Sequence, residues 1–247
     1  MPYIARHTIQ ALSESGTEEL PHYEAALRSA CIASPPPFGQ AWYGEKYRIV
    51  ASDPSWFAAS LIANAEKEGE GSRKLWDLVA RTPDPEIAEA VRQHAIDESR
   101  HALLYLAMCE IVFPDALEGD VKVYADSLSP RYSLHDFPIA TQRVPDEYVL
   151  DELIQMNIGE IRTRIHQLLM RPVITAYCPA DRKDRLIRVL DSLINDETRH
   201  IQYTARLIEK AAQTQQSDFV KRIMSARLND FNAITLLEVG EARFVGE

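Results

Sequence analysis

The chain has 247 residues, 46% of them hydrophobic and 26% charged, with a formal net charge of -10. This balance supports a folded core over wholesale disorder, and the negative charge, with no Lys/Arg stripe among aromatics, argues against a nucleic-acid partner. No apolar run approaches the roughly 20 residues of a spanning helix, and "MPYIARHTIQALSESG" lacks the long apolar core of a signal peptide; the expectation is a cytoplasmic protein with no membrane attachment.

From Met1 to about Asp53 the pattern is broken. "ASPPPFGQAWYG" favours a turn or extended connection, and one short helix is expected at about 17–33, with Thr17 as its N-cap. The segment should wrap against the main body. A first long helix begins after Asp53, with Pro54 at its first position, and runs to about Ala80, where "RTPDP" breaks it. A second spans about 86–112 and ends at Pro114. An irregular stretch at 114–144, containing "LSPRYSLHDFP", separates the halves. The third helix starts near Pro145 and reaches at least Met170, where Pro172 should end or kink it. After "CPADRKD" a fourth runs to about Ala212, and a last one covers about 217–237.

With nine glycines and no useful alternating pattern, strands are not expected, so the fold class should be all-α. The domain expectation is a single domain over 1–247: an N-terminal extension at 1–53, a four-helix bundle at 54–212 and a C-terminal helix at 213–247. Cys31, Cys109 and Cys178 are too scattered for a disulfide framework or a thiolate metal site.

Two of these helices carry nearly the same decamer, "IDESRHALLY" at 96–105 and "INDETRHIQY" at 194–203. Ile96, Ala102, Leu103, Leu104 and Leu106 suggest a packed helix, yet charges interrupt it. At 100° per residue Glu98 falls near the centre of the arc through Ile87, Val91, Ala95, Ala102 and Cys109. Glu197 falls likewise within Leu186, Leu190, Leu193, Ile201 and Thr204. A carboxylate buried there must be neutralised by protonation, a salt bridge or a metal. His101 and His200 lie on the same faces one turn on, where Glu and His can grip one ion or adjacent ions. The blander alternative is two salt-bridged amphipathic helices with Arg100 and Arg199 as partners; the doubling on core faces favours the metal.

The other two long helices offer further carboxylates. In the first, the arc through Leu61, Ile62, Ala65, Gly69, Ser72, Leu75, Trp76 and Val79 contains Glu68, leaves Glu66 at its margin as the alternative, and excludes Glu70. In the third, Leu150, Leu153, Ile154, Ile161, Ile165 and Leu168 set the core; Glu160 is the best inward carboxylate and Glu152 points away.

The set Glu68, Glu98 with His101, Glu160, and Glu197 with His200 resembles the ferritin-like di-iron carboxylate proteins, in which two helices each give a Glu and two give Glu-x-x-His. That family includes ferritins, rubrerythrins, ribonucleotide reductase small subunits, desaturases, monooxygenase hydroxylases and arylamine N-oxygenases. The resemblance covers about 55–212, and the doubled "DExRH" is its specific part. It implies a ferritin-like four-helix bundle with a long crossover and extra N- and C-terminal helices. It also implies that Glu98 and Glu197 bridge the metals as the catalytic pair, that His101 and His200 bind one metal each, and that Asp97 and Asp196 accept the histidine N–H of the facing motif. Independently of the family, four carboxylates and two neutral imidazoles sum to about -4, which two divalent cations cancel; the donors suit two Fe ions or an Fe/Mn pair.

Around this set, His94 is either an extra ligand, as in some N-oxygenases, or a hydrogen-bonded core histidine; Leu193 takes the matching place in the fourth helix. Tyr105 resembles the radical tyrosine of reductase small subunits in placement, with core packing as the alternative, and Tyr203 has the same two readings. Trp56 and Trp76 read as core, and His166 as solvated. Asn157 and Arg164 could line a substrate pocket or support Glu160.

The resemblance implies an O2-dependent oxidase or oxygenase that hydroxylates, N-oxygenates or desaturates a small organic substrate. A ferroxidase or iron-handling protein is the alternative, and a metal-free bundle the third reading. With no flavin or nicotinamide fingerprint and no iron–sulfur cysteine set, external electrons would come from a separate donor. A homodimer is compatible with an enzyme, whereas a cage would favour storage.

Overall fold

The computed structural model describes residues 1–128 and 142–240, apart from the side chains of Asp126 and Gln215. Among the described residues every regular element is helical and no strand is present. In chain order the helices are α1 (Tyr3–Glu14), α2 (Pro21–Ala33), α3 (Ala41–Val50), α4 (Pro54–Arg81), α5 (Pro85–Val112), α6 (Gly119–Leu128), α7 (Asp146–Tyr177), α8 (Lys183–Ala211) and α9 (Ser217–Gly240), with a π-helical segment at Ala212–Gln216 between the last two. None of them is long and apolar enough to cross a membrane. The three cysteines are buried and unbridged.

The long helices start where short polar residues can cap them. Asp53 Oδ1 accepts from Ser55 N at 2.9 Å, with Pro54 at the first position of α4. Asp84 Oδ1 accepts from Glu86 N at 2.8 Å and from Ile87 N at 3.1 Å, opening α5. Pro172 does not end α7: the helix continues to Tyr177, at the loss of the one ladder bond that proline cannot donate.

The N-terminal reading needs correction, because the first 50 residues hold three helices rather than one. Thr17 does not cap α2. Its N–H bonds to Leu12 O at 3.0 Å while Gly16 N bonds to Ser13 O at 3.0 Å, which closes α1 in a Schellman motif. Gly16 takes the left-handed conformation this ending requires, with φ of 75°. The segment expected to be extended keeps only a 3-10 turn at Pro37–Gly39 before α3 begins. The stretch expected to be irregular likewise contains α6, while 129–141 within it lies outside the described residues.

The helices divide into two compact units. One comprises Met1–Val50, Leu150–Met170 and Ile194–Glu247. Leu27 of α2, Ile154 and Ile158 of α7, Ile208 of α8 and Met224 of α9 fill its core. A methyl group at Gly159 would stand 3.4 Å from Phe231 Cζ, so α7 and α9 approach closely there. Leu168, expected in the core, is 37% exposed; the inward position at that level belongs to Gln167.

The other unit comprises Ala51–Val149 and Arg171–Leu193. Here α4 and α5 form a hairpin whose facing residues are small: Ala58, Ala65, Gly69 and Ser72 against Ala95 and Ala102. Small side chains let the helix backbones come close, and Ser72 Oγ donates to Ala95 O at 2.7 Å. Phe57, Phe113 and Tyr177 pack at one end with ring centroids 5.3 to 5.9 Å apart. Ile96 and Leu103 take no part in this core and are 41% and 54% exposed, since both lie on the flank of α5 away from Glu98.

Candidate metal centre

On the hairpin, the inward face of α5 carries His94, Glu98 and His101, all buried. His94 Nε2 and His101 Nδ1 each stand 3.3 Å from the same oxygen, Glu98 Oε1. Glu68 of α4 is hydrogen-bonded to Glu98, so the two carboxyls meet across the hairpin. One donor atom from each of Glu68, Glu98 and His101 lies within 4.8 Å of the others. Burial pushes the Glu98 carboxyl toward protonation, but contacts with Glu68, His101 and His94 outweigh it and hold the group well below the usual carboxylate range. Glu66 turns to α6, where it accepts from the Tyr124 hydroxyl, and Glu70 is exposed.

A like set occurs in the other unit. His200 Nδ1 of α8 lies 3.7 Å from Glu160 Oε2 of α7 and 3.7 Å from Glu197 Oε2. Glu197 and His200 are buried, and the Glu160 side chain is 12% exposed. Gln167 Nε2 donates to Glu197 Oε1 at 2.8 Å and fixes that carboxylate. Gln167 stands seven residues after Glu160, two helical turns along the same face, a spacing from which it could have been found. Glu68, Glu98 and His101, and likewise Glu160, Glu197 and His200, are two carboxylates and one imidazole, with His94 as a further imidazole beside Glu98.

Arg100 Nη2 donates to Asp97 Oδ1 at 2.8 Å, and Arg199 pairs with Asp196. Both bind the aspartate one place before the glutamate in question.

The donors around Glu98 fit a divalent ion. Nitrogen–oxygen contacts of 3.3 Å exceed an ordinary hydrogen bond. Donors sharing one ion at about 2.1 Å stand roughly 3.0 Å apart in an octahedron and 3.4 Å in a tetrahedron. One buried and one half-buried carboxylate beside a neutral imidazole carry, when both are ionised, a charge that one divalent cation cancels.

Among the remaining candidates, Tyr105 is buried in α5, and Tyr203 donates to Met156 Sδ at 4.0 Å. Asn157 accepts from the Tyr23 hydroxyl at 3.0 Å and donates to Thr204 Oγ1 at 2.9 Å. Arg164 Nε donates to Thr198 Oγ1 at 3.2 Å. Trp76 is buried and Trp56 half-buried against Phe57. His166 is not solvated as expected: its Nε2 lies 2.6 Å from the Tyr43 hydroxyl, because α3 covers that side of α7. Comparisons with protein families, curated proteins and solved structures find no match to the chain.

Proposed function

We propose that the chain is an O2-dependent di-metal oxidoreductase acting on a small organic substrate by hydroxylation, N-oxygenation or desaturation. The observation that carries this reading is the duplicated set: Glu68, Glu98 and His101 on α4 and α5, and Glu160, Glu197 and His200 on α7 and α8. In this reading each set would hold one ion, iron at both or iron with manganese, with Glu98 and Glu197 as the central carboxylates of the two sets, and the four helices would belong to a ferritin-like bundle. When bound, two ferrous ions supply electrons for the reduction of O2.

The chain's own side chains do the rest. Gln167 holds one oxygen of Glu197 and leaves the other facing His200. Asn157, tied to Tyr23 and Thr204, fixes the level at which α7 meets α8 one turn from Glu160 and His200. Ala65, Ala95 and Ala102 keep water from the carboxylates of the hairpin. Electrons for repeated turnover come from a separate donor. The protein works in the cytoplasm, as a monomer or homodimer.

Anaerobic loading with ferrous ion followed by O2 tests the proposal. It predicts uptake that stops at two irons per chain, with O2 consumed and the iron retained. Uptake continuing far beyond two per chain would show iron storage instead, and no retained iron would sink both readings.

A further inference from the structure

Tyr43 of α3 is buried, and its hydroxyl meets Nε2 of His166 on α7 at 2.6 Å. The two rings stack, with centroids 5.6 Å apart and planes 8° from parallel. Arg162, one turn before His166 on α7, stands at the same hydroxyl and is ion-paired with Glu238 of α9. A guanidinium can only donate, so the phenol oxygen accepts from that side, and the 2.6 Å contact gives the phenol proton an acceptor in His166 Nε2 when the ring carries its own proton on Nδ1.

The pair has neighbours on both sides. Outward, the ring of Trp42 meets Tyr43 edge-on at 5.9 Å between centroids, and Trp42 is 38% exposed. Inward, the next residue after His166 is Gln167, which donates to Glu197 at 2.8 Å. From the surface ring to the carboxylate there is one ring contact, two hydrogen bonds and a single peptide link.

Burial disfavours any charge on the Tyr43 phenol and pushes its pKa up. An electron can leave such a phenol cheaply only if the proton leaves with it, and an acceptor at 2.6 Å supplies that escape.

We propose that Trp42, Tyr43 and His166 form a one-electron path joining the surface to the Glu160, Glu197 and His200 set, which, resting on the metal reading of that set, carries electrons inward. The oxidant is the oxidised metal site left after O2 reduction. Tyr43 gives it one electron, the phenol O–H bond breaks, and an N–H bond forms at Nε2 of His166. Trp42 then returns an electron to Tyr43, the proton goes back to the phenol, and a soluble one-electron reductant restores Trp42. The net change is one electron from that reductant to the site.

The test loads the full chain with ferrous ion, adds O2 without organic substrate, freezes samples within milliseconds to seconds and records electron paramagnetic resonance. The expected result is a tyrosyl signal, altered by ring-deuterated tyrosine, lost in Tyr43→Phe and kept in Tyr105→Phe and Tyr47→Phe. With ascorbate as the reductant, Trp42→Leu should prolong the signal, and His166→Phe should suppress it at unchanged iron content. A signal that survives Tyr43→Phe, one lost in Tyr105→Phe, or no tyrosyl signal from iron-loaded protein overturns the path. A wild-type chain that retains no iron overturns the metal reading, and the path with it; iron content separates the two failures.

Discussion

Gln167 and Glu197 are joined by a hydrogen bond of 2.8 Å from Nε2 to Oε1, between side chains that are both buried. The bond leaves Glu197 Oε2 as the oxygen turned toward His200. Groups that hold a metal ligand in place typically contribute 10- to 100-fold to affinity. Gln167→Leu should therefore weaken ferrous binding at this set by about 10- to 100-fold while the far-ultraviolet circular dichroism is retained. Isothermal titration checks it, and unchanged affinity would remove Gln167 from the site.

His94 makes the two sets unequal. It lies 3.3 Å from Glu98 Oε1, whereas the matching place before Glu197 is Leu193. Two metal ions should then bind in two distinguishable steps, the set with His94 the tighter. His94→Leu should weaken that step by at least about 10-fold and bring the two together. Two equal steps in the wild-type protein would count against any part for His94.

Glu209 of α8 closes the start of α2 in the place of a local cap. Its carboxylate accepts from His22 N at 2.9 Å, from Tyr23 N at 2.8 Å and from Gln213 Nε2 at 2.9 Å, with His22 Nδ1 at 2.7 Å. Burial raises its pKa, but the Tyr23 N–H, His22 and Gln213 bonds prevail and leave it lowered. A group whose folded pKa is depressed stabilises the fold above its unfolded value and loses that contribution as the pH falls through the folded one. Glu209→Gln should thus cost about 1–2 kcal/mol at pH 7 and remove part of the stability lost below the ordinary value of 4.5. Urea unfolding at neutral and acid pH measures both effects; equal losses at the two pH values would contradict the assignment.

Asn157 is fully enclosed and serves Tyr23 and Thr204 at once. Asn157→Leu leaves both hydroxyls without this partner and should destabilise the fold by about 2–3 kcal/mol. In a double-mutant cycle with Tyr23→Phe, part of that cost should be recovered, by about 1 kcal/mol. Additive losses in urea would show that the two residues act independently.

What could be read from the chain alone was whatever lies within one helix or one hairpin. The faces of α5 and α8 follow from the period of 3.6 residues, so the burial of Glu98, His101, Glu197 and His200 was legible. Glu68 meets Glu98 because the two stand equally far from a short turn. The cap of α2 and the partner of His166 were hidden for the opposite reason. Glu209 is far along the chain from His22, and Tyr43 is far from His166, so no local pattern connects them. The helical N-terminus was obscured by "ASPPPFGQ", where prolines confined to one connection made the whole segment look broken. Ile96 and Leu103 misled in another way: their hydrophobicity suggested core, while their angular position on α5 placed them outside.

The central claim is that one chain holds two cations, one at each of its duplicated Glu/Glu/His sets. Mössbauer spectra with iron counting, taken after ferrous loading and exposure to O2, test it most directly on wild-type protein beside His101→Ala and His200→Ala. The prediction is two irons per chain as a magnetically coupled diferric pair, lost in both variants. Two irons retained in both variants, or isolated uncoupled ferric ions in the wild type, would contradict it.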